Sequence, residues 1–371
     1  MNLTKYEASQ FSKSKGAPIK ELATLAEQIR NDKDNPTEVD FSEVIESKYE
    51  GFNFDSMLED LGIDTAVDSI AAIQNLPDMD TRWIIPEIIR KAIRTGLRNA
   101  PIWPSITASE SSVSQRSVTM PFINMSDAAP KYVGEAETIA MGSISYGEKE
   151  VKIRKMGRGI KISYEVLQYV SIDVIAIFFE DFGVKLGQAL DVLAIDVLMN
   201  GDQADGSASA PVIGVATTGD VVYKDFLRPW VRGARMGRNF STIIGGEAAA
   251  MDTLDLPEFK ARTQGTTEAT LNMKTPVPKS ADYYVHGNVP DDQQILIDKR
   301  YALVKLNAIP LNIESEKIVS NQTLQFFATI TTGFAKLFLD AAIILDKDLA
   351  FASNGFPDYM EVDSMLDVVI N

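Results

Sequence analysis

Pro130-Lys131-Tyr132-Val133-Gly134-Glu135-Ala136-Glu137-Thr138 begins the stretch whose reading decides the fold, which continues to Asp202. These residues belong to a small, polar, glycine-containing run from Asn124 to Gly147. Such a run is too long for a tight turn and reads as an extended hairpin unable to bury its own surface. Strand character follows from Lys149 to Ile162, where Val151 and Ile153, then Ile160 and Ile162, alternate with charges. Gly157 and Gly159 between them predict a bulge or bend. A long amphipathic helix comes next. Ile172, Ile175, Phe179, Phe182, Leu186, Leu190, Leu193 and Val197 recur at steps of three and four, one continuous stripe. Ser171 stands at the N-cap, Asp173 favours the positive end of the helix dipole, and Gly201 sits where a C-cap glycine would. A helix over 171–200 spans roughly 40–45 Å at about 1.5 Å per residue.

Upstream, residues 1–80 read as an acidic arm with short helices, with helical spacing over Pro18–Arg30, a second apolar pattern over Phe41–Leu61 broken at Gly51 and Asn53, and too few apolar residues for a core of its own. Such an arm packs along other surfaces, its own or a neighbour's. Arg82–Arg94 predicts a helix beginning at Pro86, with Ile85, Ile88, Ile89 and Ile93 on one face and Gly96 as its end. Ser117–Phe122 alternates like a strand. Downstream, helices are expected over Tyr223–Arg238 and Glu247–Leu254. Strands are expected over Ser241–Ile244, Gln294–Asp298, Ala302–Leu306, Leu311–Ser315, Thr323–Ile330 and Ala335–Leu345, and a polar loop over Thr263–Ser280.

Of the 371 residues, 36 are basic and 52 acidic, a formal net charge of −16. The charge is uneven: residues 1–80 carry 7 basic and 17 acidic side chains, residues 81–163 carry 13 and 7. Oppositely charged blocks steer one region of a chain onto another region of a neighbour. The acidic balance argues against general nucleic-acid binding. No stretch approaches the roughly 20 apolar residues that span a bilayer, and the first residues lack a signal-peptide core, so the expected location is the cytoplasm where the protein is made.

The chemistry of catalysis is thinly represented. There is no Cys, hence no thiolate nucleophile, thiolate metal site or disulfide. His286 is the only histidine and lies beside a turn, where a structural role is expected. Gly245-Gly246 follows a strand and precedes a helix, the context of a phosphate site, but without the third glycine or an acidic ribose partner. A tight strand-to-helix turn explains it better. Asp191 and Asp196, five residues apart on the long helix, do not share a face and are expected in solvated or intersubunit positions. The cluster Lys149, Lys152, Arg154, Lys155, Arg158 and Lys161 is interleaved with Glu148 and Glu150 and lacks an aromatic stacking platform, so ion pairing between subunits is expected of it. No catalytic residue, cofactor or metal site is assigned.

The order of these elements, a charged hairpin leading into a long helix, then Leu198-Met199-Asn200-Gly201-Asp202 and Pro211-Val212-Ile213-Gly214-Val215, resembles the major capsid proteins of tailed bacteriophages, the Hong Kong 97 type. The resemblance implies an α+β fold: an N-terminal arm over 1–100, a segment 101–123 leading into the peripheral domain, and an extended E-loop hairpin over 124–160. The peripheral domain over 161–219 would hold the spine helix 171–200, the axial domain would occupy 220–308, and 309–371 would return to the peripheral domain. It implies a structural, non-enzymatic protein of the virion, assembled in the host cytoplasm as hexamers and pentamers of an icosahedral shell. That shell encloses double-stranded DNA rather than reading its sequence. A scaffolding protein, a portal and decoration proteins are the implied partners, and no membrane. Lys131, Glu135, Glu137, Lys149, Lys152, Arg154 and Arg158 become candidate intersubunit contacts. Ile175, Phe179, Phe182, Leu186, Leu190 and Leu193 become the core face of the spine helix. The aromatics of the arm (Phe41, Tyr49, Phe52, Phe54) favour an arm that is retained and packs. Two alternatives differ in what is bound: an encapsulin-like compartment shell, and an α/β enzyme taking a phosphorylated ligand at Gly245-Gly246.

Overall fold

The computed structural model describes residues 64–69, 84–99, 101–113, 117–126, 143–201, 209–257 and 281–351. The expected arm helix over 18–30, the apolar pattern over 41–61 and the loop over 263–280 lie outside them. The chain divides into two units. One is drawn from Met1–Pro101, Lys155–Ala189 and Ile309–Thr332, the other from Ile102–Arg154, Leu190–Ala308 and Gly333–Asn371.

In the first unit, helix α1 (Ile84–Asn99) starts ahead of Pro86 and runs past Gly96. Gly96 therefore does not end it. The residue is buried, and a β-carbon there would strike the carbonyl oxygen of Glu180. Ile89 and Ile93 are buried and Ile88 is half-buried. Strand β4 (Arg154–Ser163) is followed by the short helix α2 (Tyr164–Tyr169), whose Val166 amide donates to Ser163 Oγ. Helix α3 (Ile172–Asn200) is the long one. Its first amides are met by backbone: Ile172 N donates to Asp68 O at 3.0 Å and Asp173 N to Thr65 O at 3.1 Å. Strands β9 (Leu303–Ile318) and β10 (Thr323–Lys336) are neighbours, and β10 also borders β4. The expected breaks around Pro310 and after Ile330 do not occur, because Pro310 removes one donor without interrupting the extended backbone. The bulge or bend expected at Gly157 and Gly159 does not interrupt β4, and the chain leaves strand only at Ile153, between β3 and β4. The two glycines let β4 lie close against Ala328, Thr329 and Phe327 of β10.

The second unit centres on a five-stranded sheet of order β5-β11-β8-β6-β7. Its strands are β5 (Val212–Val215), β6 (Thr242–Gly245), β7 (Asp282–Val285), β8 (Gln293–Ile297) and β11 (Ala342–Ala350). Helices α4 (Tyr223–Arg235) and α5 (Glu247–Asp255) accompany it. Phe226, Phe240, Ile243, Leu296, Ile343 and their neighbours form its core. The sheet draws β5 and β11 from outside 220–308, and 309–371 does not return as one piece. Residues 309–332 belong to the first unit, while β11 lies between β5 and β8 in this sheet. The strand expected over 335–345 is divided by the turn Leu339–Ala341. Strand β1 (Thr107–Ser112) runs parallel to the first part of β9.

Candidate assembly surfaces

Strands β2 (Ser117–Ser126) and β3 (Ser143–Lys152) form a two-stranded antiparallel ribbon in unbroken register, from Ser117 opposite Lys152 to Ser126 opposite Ser143. Among the described residues no third strand joins it. Its root is anchored in the second unit, where Val151 and Ile153 pack with Val304, Leu306 and Ala335. A two-stranded ribbon of this kind is marginal alone in water. Lys149 stands opposite Met120 and Lys152 opposite Ser117. Lys131, Glu135 and Glu137 lie outside the described residues. Arg154, Lys155, Arg158 and Lys161 are exposed along β4, a basic edge that continues the chain from the ribbon.

Helix α3 buries Ile175, Phe179, Phe182, Leu186 and Leu190, and Phe179 meets Phe326 edge-on at 5.4 Å. Leu193 departs from the expected stripe: it is only half-buried, while Ala194 and Ile195 beside it are fully buried. The stripe turns by one position there. The helix carries a second apolar set that is exposed, Ile177 at 64% and Phe178 at 68%, and Tyr169 of α2 is 84% exposed. Phe178 lines a groove of about 700 Å³ between β4 and α3, with Ile160, Ile162, Val166 and Phe182 as its apolar lining. Arg158, Lys161 and Lys185 line it as well, Lys185 being paired with Asp181 at 2.6 Å.

Asp191 is not solvated. It is 1% exposed, and its Oδ1 accepts the amides of Ile102 at 2.9 Å and Trp103 at 2.7 Å. Burial pushes its pKa up to about 6, against the opposing pull of those two amides. The carboxylate holds the 3₁₀ turn Trp103–Ser105, and the Trp103 ring carries the buried Lys305 ammonium 3.6 Å from its centroid. Buried Lys336 donates to Leu198 O at 3.2 Å, a cation at the helix C-terminus. Asp196 accepts from Asn200 Nδ2 at 2.8 Å. Sequence spacing alone identified neither Asp191 nor Lys336 as structural.

The turn at Gly245-Gly246 is occupied by the protein itself. A β-carbon at Gly245 would strike the Tyr283 hydroxyl and one at Gly246 the Pro290 carbonyl oxygen. Gly246 N donates to Gln293 O at 3.0 Å and Ala249 N to Asp291 O at 2.7 Å. The glycines serve packing, and a phosphate group has no place among them, so the expectation of a ligand there is withdrawn. His286 accepts the Asn288 amide at 3.1 Å in its own turn, and burial lowers its pKa. Among the described residues no acidic, His or Cys cluster fits a metal, and no helix is long and apolar enough to cross a membrane.

No family model and no curated protein sequence matches the chain. Solved structures do. A virus-like particle from Pyrococcus furiosus is similar at 10% identity and a TM-score of 0.48, covering 70% of this chain and 98% of that one. The capsid of a native GTA particle is similar at 12% identity and 0.48, covering 68% and 89%. A structure from Gordonia phage Cozz is similar at 14% identity and 0.45, covering 67% and 86%.

Proposed function

We propose that this chain is a shell-building subunit, a major capsid protein of the Hong Kong 97 type that tiles as hexamers and pentamers around double-stranded DNA. The ribbon is the observation that carries the reading. Ten paired residues on each strand make a long hydrogen-bonded arm with no third strand among the described residues and a hydrophobic anchor at its root. Such an arm gains its missing burial from the surface of another copy. In this reading the ribbon is the E-loop, the first unit with the start of α3 is the peripheral domain, and the five-stranded sheet with α4 and α5 is the axial domain.

Lys131, Glu135, Glu137, Lys149, Lys152, Arg154 and Arg158 then contact neighbouring copies. Each exposed pair is worth roughly 0–1 kcal/mol, so the contacts act by number. A net charge of −16 suits a container that encloses DNA without gripping it. The subunit assembles in the host cytoplasm with a scaffolding protein, a portal and decoration proteins, and resides in the virion. Negative-stain electron microscopy of the full chain, expressed with and without its neighbouring genes, tests this. Closed polyhedra or rings of five and six are expected. Uniform monomers or dimers in both preparations would overturn it.

A further inference from the structure

The groove between β4 and α3 has two kinds of lining, and the ribbon argument uses neither. Its apolar part is Ile160 and Ile162 of β4, Val166 of α2, and Phe178 and Phe182 of α3. Phe178 is 68% exposed, an aromatic surface that the fold leaves in water. Three cations border the same space. Lys185 is paired with Asp181, whereas Arg158 and Lys161 are exposed and form no ion pair among the described residues. A hydroxyl is left over as well: Thr323 lines the groove, is buried, and its Oγ1 has no hydrogen-bond partner.

These features select an occupant by its chemistry. A wholly apolar guest would strip water from two unpaired cations and give nothing back. A small anion would leave the aromatic floor wet. A carboxylate on an alkyl chain answers both, because its methylenes cover the phenyl rings while its head group meets the cations. Size agrees. The groove holds about 700 Å³, within the range of about 300–1,000 Å³ for small-ligand sites. Arg158 to Ser163 of β4 line it, roughly 17 Å of strand, which accommodates one extended chain. We propose that this groove binds a single-chain amphiphilic carboxylate, a fatty acid of medium length, with its alkyl chain on Phe178 and Phe182 and its carboxylate beside Arg158 and Lys161. A net charge of −16 works against any anion, so uptake of one reports the cations of the groove rather than the charge of the whole chain.

Isothermal titration of the full chain with octanoate, decanoate and dodecanoate, each below its micelle-forming concentration, tests this. One site per chain is expected, with affinity rising about fifteenfold for each two added methylenes. The Arg158→Glu, Lys161→Glu variant should bind dodecanoate about tenfold more weakly or worse, and so should Phe178→Asp. Arg154→Glu reverses a charge on β4 outside the groove and should bind as the native chain does. All four side chains are exposed, so each variant should keep the native denaturation midpoint. Phosphatidylglycerol vesicles offered in place of the free acid should not bind. No saturable binding to the native chain, an affinity indifferent to chain length, or an equal loss in Arg154→Glu would overturn the proposal. Binding to the vesicles alone would give the cations to a membrane surface and overturn it too.

Discussion

Gly96 of α1 and Gly183 of α3 are reciprocal: each stands where a β-carbon would enter the other helix's backbone, Gly96 against the Glu180 carbonyl and Gly183 against the Ile93 carbonyl. The two helices therefore meet main chain to main chain. Gly183→Ala gains about 1 kcal/mol of helix propensity. It must, however, displace a helix backbone, which costs about 1–3 kcal/mol and commonly more than that gain. A net loss of stability is expected for Gly96→Ala and Gly183→Ala, read as a lower midpoint in chemical denaturation. Gly187→Ala is the control. Its β-carbon would meet Pro101 Cβ at 3.6 Å and Leu97 Cδ1 at 3.7 Å, ordinary contact, so it should be neutral or stabilising.

Asp191 makes stability depend on pH in an unusual direction for a carboxylate. Its folded pKa, pushed up to about 6 from 3.8, lies above the unfolded value. The folded state binds the proton more tightly, so this group's contribution is fully present below about 3.8 and is lost as pH rises through 6. Asp191→Asn keeps an oxygen acceptor for Ile102 N and Trp103 N and carries no charge to desolvate. It should gain on the native protein between pH 5 and pH 8 by an amount on the order of 2 kcal/mol. Asp191→Leu strands two amides and should lose about 1–3 kcal/mol for each at both pH values. Urea titrations at the two pH values separate these outcomes.

Arg238 binds Asp340 through two bonds of 2.8 Å, 102 residues away in sequence. Its guanidinium also stacks on Tyr301 at 4.3 Å and Phe338 at 4.8 Å. An ammonium reproduces neither the fork nor the flat face, so Arg238→Lys is not conservative here. A loss of about 1–3 kcal/mol is expected. A thermal midpoint equal to that of the native protein would refute it.

Shortening the ribbon separates folding from assembly. Met120 and Lys149 face each other in the ladder. Joining them through Asn-Gly, a two-residue hairpin turn, removes the outer ribbon and leaves the Val151 and Ile153 anchor in place. The monomer should keep its denaturation midpoint, while sedimentation velocity should show particles lost. Particles of normal size from this variant would contradict the role given to the ribbon.

The long helix was legible in sequence because its period is a local property of the side chains: Phe179, Phe182, Leu186 and Leu190 mark it without reference to anything distant. What escaped was set by remote partners. Gly96 reads as a terminator until the Glu180 carbonyl is beside it. Asp191 reads as a surface carboxylate because the amides it accepts lie 88 and 89 residues away. Two strands were expected over Ala302–Leu306 and Leu311–Ser315, and no local pattern tells that one strand, Leu303–Ile318, runs through both. The basic run of β4 could be read as a surface from its alternation with small residues, whereas its groove could not, since the opposite wall is α3.

Strand β11 lies between β5 and β8, parallel to the first and antiparallel to the second. During translation both of those strands emerge long before their shared neighbour, so the sheet waits open between β5 and β8 until Ala350 has been made. A chain stalled before that point presents two bare strand edges and lacks Ile343 and Leu345 of the sheet's core. The order of synthesis thus withholds a finished sheet until β11 has been made, and a chain short of it carries unpaired backbone on both β5 and β8.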